Sequence, residues 1–600
     1  MRACLAAIFL AATFAPPLAA QQATDAVAPE SHTEGAPATP FAGLAPATLA
    51  ALEAKEAGEP TKARDWMIAA ANPLAVEAGA VVLRAGGTAA DAMVAVQAVL
   101  GLVEPQSSGL GGGAFLLWYD AETGAVTSLD GRETAPLAAT PRLFQTEAGE
   151  PLDFFDAVVG GRSVGVPGTP ALMEEAHRRW GKAEWHGLFA PAIRLAEEGF
   201  AVSPRLASMV AADAVRLTRF APTRNYFFPE GKLLEVGQTL QNPSYADTLR
   251  ILARDGASPF YTGTIAEDIV QTVREAPGNP GVLAPLDLAI YQVRERAPVC
   301  PEYRGYAVCG MGPPSSGGLT VGQILGMLEA YDLATLGPES PEAWRLIGDA
   351  SRLAFADRGR YMADSDFVPV PVQGLIDPGY LARRAERLDR ATALDEATPG
   401  EPEFDHALNW ADDISLEFPS TSHISIVDSY GNALSMTTTI ENGFGSRLMV
   451  RGFLLNNELT DFSFRSHEEG RAIANAVAPG KRPRSSMAPT IVLKEGKPVL
   501  VIGSPGGSRI IGFVTRAIIA HLDWGMNAQE ALDAPNLVNR FGTFDIEAAR
   551  VPEALATGLA GLGFEVSARP LVSGLHAIAR TADGLEGGAD PRREGVALGE

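Results

Sequence analysis

Thr421 opens the strand-like run Thr421-Ser-His-Ile-Ser-Ile-Val-Asp428, directly after the irregular Glu417-Phe-Pro-Ser420. A threonine hydroxyl alone is a poor nucleophile. If the chain is cut ahead of it, its own freed α-amine, with a pKa near about 8 in peptides, becomes a built-in base. An ordinary strand threonine is the competing reading. His423 falls two residues on, on the same strand face, as a general base or a structural histidine.

Four further groups have chemistry that would complement such a nucleophile. Gly503-Ser-Pro-Gly-Gly-Ser508 can turn backbone N–H groups onto a negative oxygen, or can simply link a strand to a helix. Ser485 and Ser486, after Lys481-Arg-Pro-Arg484, are adjacent hydroxyls able to bond a carboxylate, or part of a basic loop. Arg132, at a strand end after Gly131, can grip a carboxylate bidentately or close a turn. Asn456-Asn-Glu458-Leu-Thr-Asp461 puts two acids close together, which suits an ammonium group or a solvated turn.

Other chemistries fit poorly. Gly109-Leu-Gly-Gly-Gly-Ala114 matches GxGxxA, but it follows a helix and opens a strand, the reverse of a dinucleotide loop. Gly503–Ser508 lacks the phosphate-loop lysine. The three cysteines and eight histidines form no CxxC or HExxH spacing, so no metal and no cofactor is expected. Lys+Arg is 48 and Asp+Glu is 72, a net charge of 48 − 72 = −24, which argues against nucleic acid or an anionic membrane as partner.

The elements that must position these residues follow from pattern. With 600 residues, 46% hydrophobic and 20% charged, the chain can bury a large core, as several domains or one α/β unit. Arg2, the apolar Leu5 to Ala15 and Leu18-Ala19-Ala20 read as a secretory signal over 1–20, giving a periplasmic or secreted protein. No later stretch reaches about 18 apolar residues, so no membrane span is expected. Residues 21–62, rich in Ala, Pro, Thr and Glu, read as a flexible lead-in. Asn72-Pro73 starts a helix that stops at Gly86-Gly87, and Thr88 to Asp91 opens a second with a capping box. Strands are expected at Ala114 to Asp120, up to Gly131, at Thr421 to Asp428, Ala433 to Ile440, Ile491 to Lys494 and Val499 to Ile502. A helix is expected from about Ile511 to Leu522, and residues 395–420 read as an exposed loop. Cys300 and Cys309 flank a turn, and are either a disulfide or two buried thiols.

Taken together, Thr421–Asp428, Leu454-Leu-Asn-Asn457, Lys481–Thr490 and Gly503-Ser-Pro-Gly-Gly-Ser-Arg-Ile510 resemble the γ-glutamyltranspeptidases. Gly109 to Gly113, Gly131-Arg-Glu-Thr-Ala-Pro136, Val164-Gly-Val-Pro-Gly168 and Pro313-Pro-Ser-Ser-Gly-Gly318 support this, in the family's order, over about residues 66 to 595. The resemblance implies an α/β (α+β) N-terminal-nucleophile hydrolase, a four-layer αββα sandwich. It implies a precursor that cuts itself between Ser420 and Thr421 into a large subunit, 63–420 plus any lead-in, and a small one, 421–600. Thr421 would then be the nucleophile and Thr439 its hydrogen-bonding neighbour, with Gly506 and Gly507 holding the oxyanion. Arg132, Ser485 and Ser486 would hold the substrate α-carboxylate, and Glu458 and Asp461 its α-ammonium.

The implied reaction takes γ-glutamyl amides such as glutathione, with water or an amine as acceptor. Position 441 is Glu where well-studied members have Asn; it can still bond an ammonium, but it adds charge beside Glu458 and Asp461. The flap stretch Ser463 to Gly480 looks short, which implies a more open pocket. A related acylase cleaving glutaryl side chains is the alternative enzyme, and a non-catalytic binding protein on the same scaffold is the alternative class.

Overall fold

The computed structural model describes residues 41, 43–406, 409–413, 417 and 420–600. The expected signal at 1–20 and most of the expected lead-in lie outside them.

Two seven-stranded antiparallel sheets form the centre. The sheet that carries Thr421 runs Val596–Gly599, Met67–Ala70, Ser422–Val427, Ala433–Thr439, Gly113–Tyr119, Val126–Gly131, Arg294–Arg296. The second runs Thr61–Ala63, Gly584–Ala589, His576–Thr581, Lys497–Gly503, Thr490–Lys494, Tyr306–Gly310, Glu302–Tyr303. Alternation within the strands explains the stacking. Ile424, Ile426, Leu434 and Met436 point into a core shared with helices Pro73–Arg84 and Ala89–Val103. Met67, Ala69, Val427 and Ala433 point the other way, into a core shared with the second sheet. That core continues to helices Gly317–Leu328, Pro341–Tyr361 and Ile510–Leu522 on the far side. The result is the αββα sandwich.

Local chemistry sets the elements as their residues predict. Asn72 accepts from Leu74 N at 3.0 Å with Pro73 at the first helical position. Thr88 and Asp91 form a capping box on a helix whose 15 residues are all buried. Cys300 and Cys309 are joined by a disulfide.

Two expectations are corrected. The stretch up to residue 62 is ordered from well before its end: Pro46–Glu56 is a helix with Thr48 and Ala51 buried, and Thr61–Ala63 is an edge strand. Thr48 and Ala45 bond Glu77, so these residues have tertiary partners that composition does not reveal. Nor is 395–420 an exposed loop throughout. Trp410, Asp413, Glu417 and Ser420 are buried, because the two acids meet buried arginines.

Candidate active site

The first requirement is a strand start beside a second hydroxyl. Ser422–Val427 pairs with Ala433–Thr439 so that Ser422 faces Thr438, which brings Thr421 alongside Thr439. Thr421 Oγ donates to Thr439 Oγ at 3.3 Å, and Thr439 Oγ donates to the carbonyl oxygen of Ser420 at 3.3 Å. The Glu441 N–H donates to Thr439 Oγ at 2.9 Å and fixes it. Both 3.3 Å bonds are long, hence weak. Arg593 Nη1 donates to the Thr421 carbonyl at 3.0 Å, and Ser420 Oγ to the Gln106 carbonyl at 2.8 Å, so the residues on both sides of the 420–421 peptide bond are held. The glycines of Gly109–Gly113 serve this packing. A Cβ on Gly112 would lie 1.9 Å from the Thr439 carbonyl oxygen, so only glycine lets that backbone approach.

His423 takes no part. Its ring contacts Thr437 Oγ and Ser425 Oγ, and burial, then His576, push its pKa well down. It is a neutral core histidine between the sheets.

The turn after strand Lys497–Gly503 brings Gly507 to the same cavity, with Gly506 preceding it in the chain. Gly506 has φ +136° and a Cβ there would meet the Phe513 ring at 2.8 Å; Gly507 has φ +57°. Gly507 lines a cavity of about 20 Å³ together with Arg132, Glu417, Ser420, Thr421, Thr439, Glu441, Glu458, Asp461, Ser485 and Ser486. The sequence-predicted residues therefore converge, with Gly506 directly beside the lining.

Charge divides the site into two clusters. In the first, Arg132 pairs with Glu458 and, at 2.5 Å, with Asp461; its Nε and Nη2 also reach the Pro483 and Arg484 carbonyls. Burial opposes the arginine's charge, but Glu458 and Asp461 outweigh it and raise its pKa. Burial pushes Asp461 well up, with Arg132 opposing and Glu441 adding; Glu458 rises from burial too. Glu133, fully buried, has its carboxyl pushed well up by burial and by the neighbouring Glu458, with Arg132 opposing. Glu441, at φ +74°, accepts from Asn457 Nδ2.

In the second cluster Glu417 accepts from Arg358 and from Ser486 Oγ, with Arg484 Nε at 3.4 Å. Burial alone would raise the Glu417 pKa, but Arg358 and Arg484 hold it low. Arg484 also pairs with Asp413 at 3.0 Å. The loop Pro313–Gly318 supports this cluster: Ser316 Oγ donates to the Ser485 carbonyl at 2.7 Å and accepts from Arg358 Nε at 2.8 Å. Ser485 Oγ accepts from Met487 N at 3.1 Å. The stretch 463–480 folds back as a short hairpin, His467–Glu468 with Arg471–Ala472, and Asn475 ties it to the Asp461 carbonyl.

Sequence reasoning missed Arg358, Glu417, Glu133 and Arg593. Arg484 and Glu133 lay inside quoted motifs. Arg358 and Arg593 sit in a helix and a turn with no local signal of proximity.

The site can attack a carbonyl with a hydroxyl, stabilise the oxyanion, and bind a zwitterion. The family model for Gamma-glutamyltranspeptidase matches residues 75–600. The chain is 37% identical over 551 residues to the glutathione hydrolase proenzyme of Bacillus subtilis, covering 89% of this chain and 92% of that protein. It is also similar to the crystal structure of cephalosporin acylase from Bacillus halodurans, with TM-score 0.79 and 27% identity over 90% of this chain and 97% of that one. The γ-glutamyltranspeptidase of Helicobacter pylori matches with TM-score 0.54 and 36% identity over 56% of this chain and 96% of that chain.

Proposed function

The chain belongs to the gamma-glutamyltranspeptidase family, and from that premise we propose that it matures by cutting itself before Thr421 and then hydrolyses or transfers γ-glutamyl groups. The observation that carries this is the hydroxyl relay from Thr421 through Thr439 to the Ser420 carbonyl.

In the cut, Thr421 Oγ attacks the Ser420 carbonyl carbon. The C–N bond breaks, an ester to Oγ forms, and the hydroxyl proton passes to the departing amine. Water then cleaves the ester, leaving a Ser420 carboxylate and a free Thr421 amine. The small subunit has 600 − 421 + 1 = 180 residues. In turnover the Thr421 amine takes the Oγ proton as Oγ attacks the γ-carbonyl, then gives it to the leaving amine. Gly506 and Gly507 N–H groups hold the oxyanion, and losing one such donor costs about 3–4 kcal/mol. Water or an acceptor amine resolves the γ-glutamyl ester and regenerates the hydroxyl. Glu441, Glu458 and Asp461 face the substrate ammonium. Arg132, Ser485 and Ser486 complete the clamp. No helix among the described residues is long and apolar enough to cross a membrane. The segment 1–20 directs export to the periplasm or the medium.

Similarity to a cephalosporin acylase keeps glutaryl amides as a second reading. The three buried acids favour the first, since a glutaryl group brings no cation to them. Intact mass and N-terminal sequencing test the cut. Wild type should give two fragments, the smaller starting at Thr421, and Thr421→Ala one uncut chain. Active wild-type material continuous across 420–421 would overturn the reading. A higher kcat/KM for glutaryl than for γ-glutamyl anilide would overturn the substrate choice.

A further inference from the structure

A second cavity, of about 620 Å³, lies behind Arg132 and shares no lining residue with the one at Thr421. That volume suits a small organic ligand. Backbone separates the two cavities: Ala135 N donates to the Lys481 carbonyl at 2.8 Å, and Gly480 N to the Ala135 carbonyl at 3.0 Å. The Arg132 carbonyl accepts from Tyr291 Oη at 2.9 Å and from Arg482 Nε at 3.3 Å. Tyr291 and Arg482 line the second cavity, while Arg132 itself lines the first.

The rim of the second cavity is apolar. Leu137, Ile290 and Phe367 line it and are 44%, 50% and 46% exposed. A Cβ on Gly480 would lie 3.8 Å from Phe367 and 3.9 Å from Leu137, so those two side chains flank the glycine. Ile290 follows helix Pro285–Ala289, whose Asp287 accepts from Leu137 N at 2.8 Å. Clustered exposed apolar side chains around a concave site mark a binding surface.

Inside, the charged groups are already bonded, with one exception. Asp366 accepts from two nitrogens of Arg296, at 2.8 and 3.0 Å. Asp364 accepts from the Arg482 and Asp366 N–H groups at 2.9 and 3.1 Å. Asp287 also accepts from Ala284 N at 2.7 Å, and Glu295 pairs with Arg179. Arg482 is held by Asp130 and by the Arg132 and Gln292 carbonyls. The exception is Arg294, exposed on the edge strand Arg294–Arg296. Its guanidinium makes no hydrogen bond and no ion pair among the described residues. Strand alternation puts it on the same face as Arg296.

We propose that this cavity binds a small organic carboxylate with an apolar body, its charge on Arg294 and its chain or ring against Leu137, Ile290 and Phe367. A guanidinium with unused donors grips a carboxylate bidentately. A cationic ligand would meet only acids that already have partners. The occupant is bound and not converted, since Thr421 lies in the other cavity. Cleavage before Thr421 is not required, because every group named is in place in the uncut chain.

Calorimetry on uncut Thr421→Ala with 4-phenylbutyrate tests this, because the Thr421 cavity, at about 20 Å³, is too small to admit the probe. A Kd on the order of 1 mM or tighter is expected. 4-Phenylbutyramide, without the charge, and 4-phenylbutylamine, with the opposite one, should bind at least about 3-fold more weakly. In the same background Arg294→Gln and Phe367→Ala should each weaken the acid roughly 3- to 10-fold. Both side chains are exposed, so neither substitution threatens the fold. No binding of the acid below about 10 mM overturns the proposal. So does an affinity that either variant leaves unchanged, which would place the probe elsewhere. Binding of the amide or the amine as tight as that of the acid would mean that Arg294 does not set the ligand's charge, and would overturn it too.

Discussion

Held by the Glu441 N–H, the Thr439 hydroxyl serves the 420–421 bond in two ways: it accepts from Thr421 and donates to the Ser420 carbonyl. Valine keeps nearly the same shape and can do neither. Thr439→Val should therefore slow self-cleavage roughly 100-fold, the usual effect of losing a donor to a developing oxyanion. The fraction cut against time on a denaturing gel reads this, and an unchanged rate would remove Thr439 from the mechanism. Thr421, Arg132, Ser485, Ser486, Glu458, Asp461 and the glycine pair were legible because each lies in a short motif with its own chemistry. Arg358 and Glu417 were not. They are 59 residues apart, and nothing in either local sequence says that a helix and an irregular stretch meet.

The elements were more legible than the contacts between them. The Asn72 cap, the Thr88–Asp91 box and the period-two runs around Thr421 and Ala433 act locally, and they emerge as expected. Helix Pro46–Glu56 was not legible, because what holds it is tertiary. Lys55 Nζ, at its last turn, donates to the Arg593 and Gly595 carbonyls at 2.6 and 2.7 Å. Arg593 in turn holds the Thr421 carbonyl at 3.0 Å. Burial drops the Lys55 pKa to about 8, with Asp590 and Glu594 opposing, so the ammonium is kept only because its partners repay part of the desolvation. Lys55→Met should leave two carbonyls without that donor and destabilise the protein by about 1–3 kcal/mol. It should also lower kcat with KM little changed, because the nucleophile's carbonyl loosens while the carboxylate and ammonium clusters stay intact. Urea unfolding and steady-state kinetics check the two effects, and a stable variant with normal kcat would show that the helix is decoration.

At the scale of the molecule, residues from both sides of the 420–421 bond interleave in each sheet. Strand Met67–Ala70 lies between Val596–Gly599 and Ser422–Val427, so a cut there leaves the core continuous. The same interleaving buries charge at the seam. Glu104, 1% exposed, accepts from Gln106 Nε2 at 2.9 Å and Ser107 Oγ at 3.3 Å, with Arg205 at 3.6 Å. It thus sits beneath the turn whose Gln106 carbonyl holds Ser420. Burial pushes its carboxyl up to about 7, against the pull of Arg205 and with Glu594 adding to the rise. A carboxyl whose folded pKa exceeds its unfolded value of 4.5 contributes stability that is full below 4.5 and is lost as pH rises through about 7. The span corresponds to about 3 kcal/mol. Glutamine keeps the shape and an acceptor but cannot titrate. Compared in the uncut Thr421→Ala background, where one chain unfolds, Glu104→Gln should gain on its parent by about 3 kcal/mol between pH 4.5 and pH 8. Urea midpoints at the two pH values read the difference, and a gap that stays constant with pH would mean that the Glu104 carboxyl titrates normally and the seam carries no buried proton.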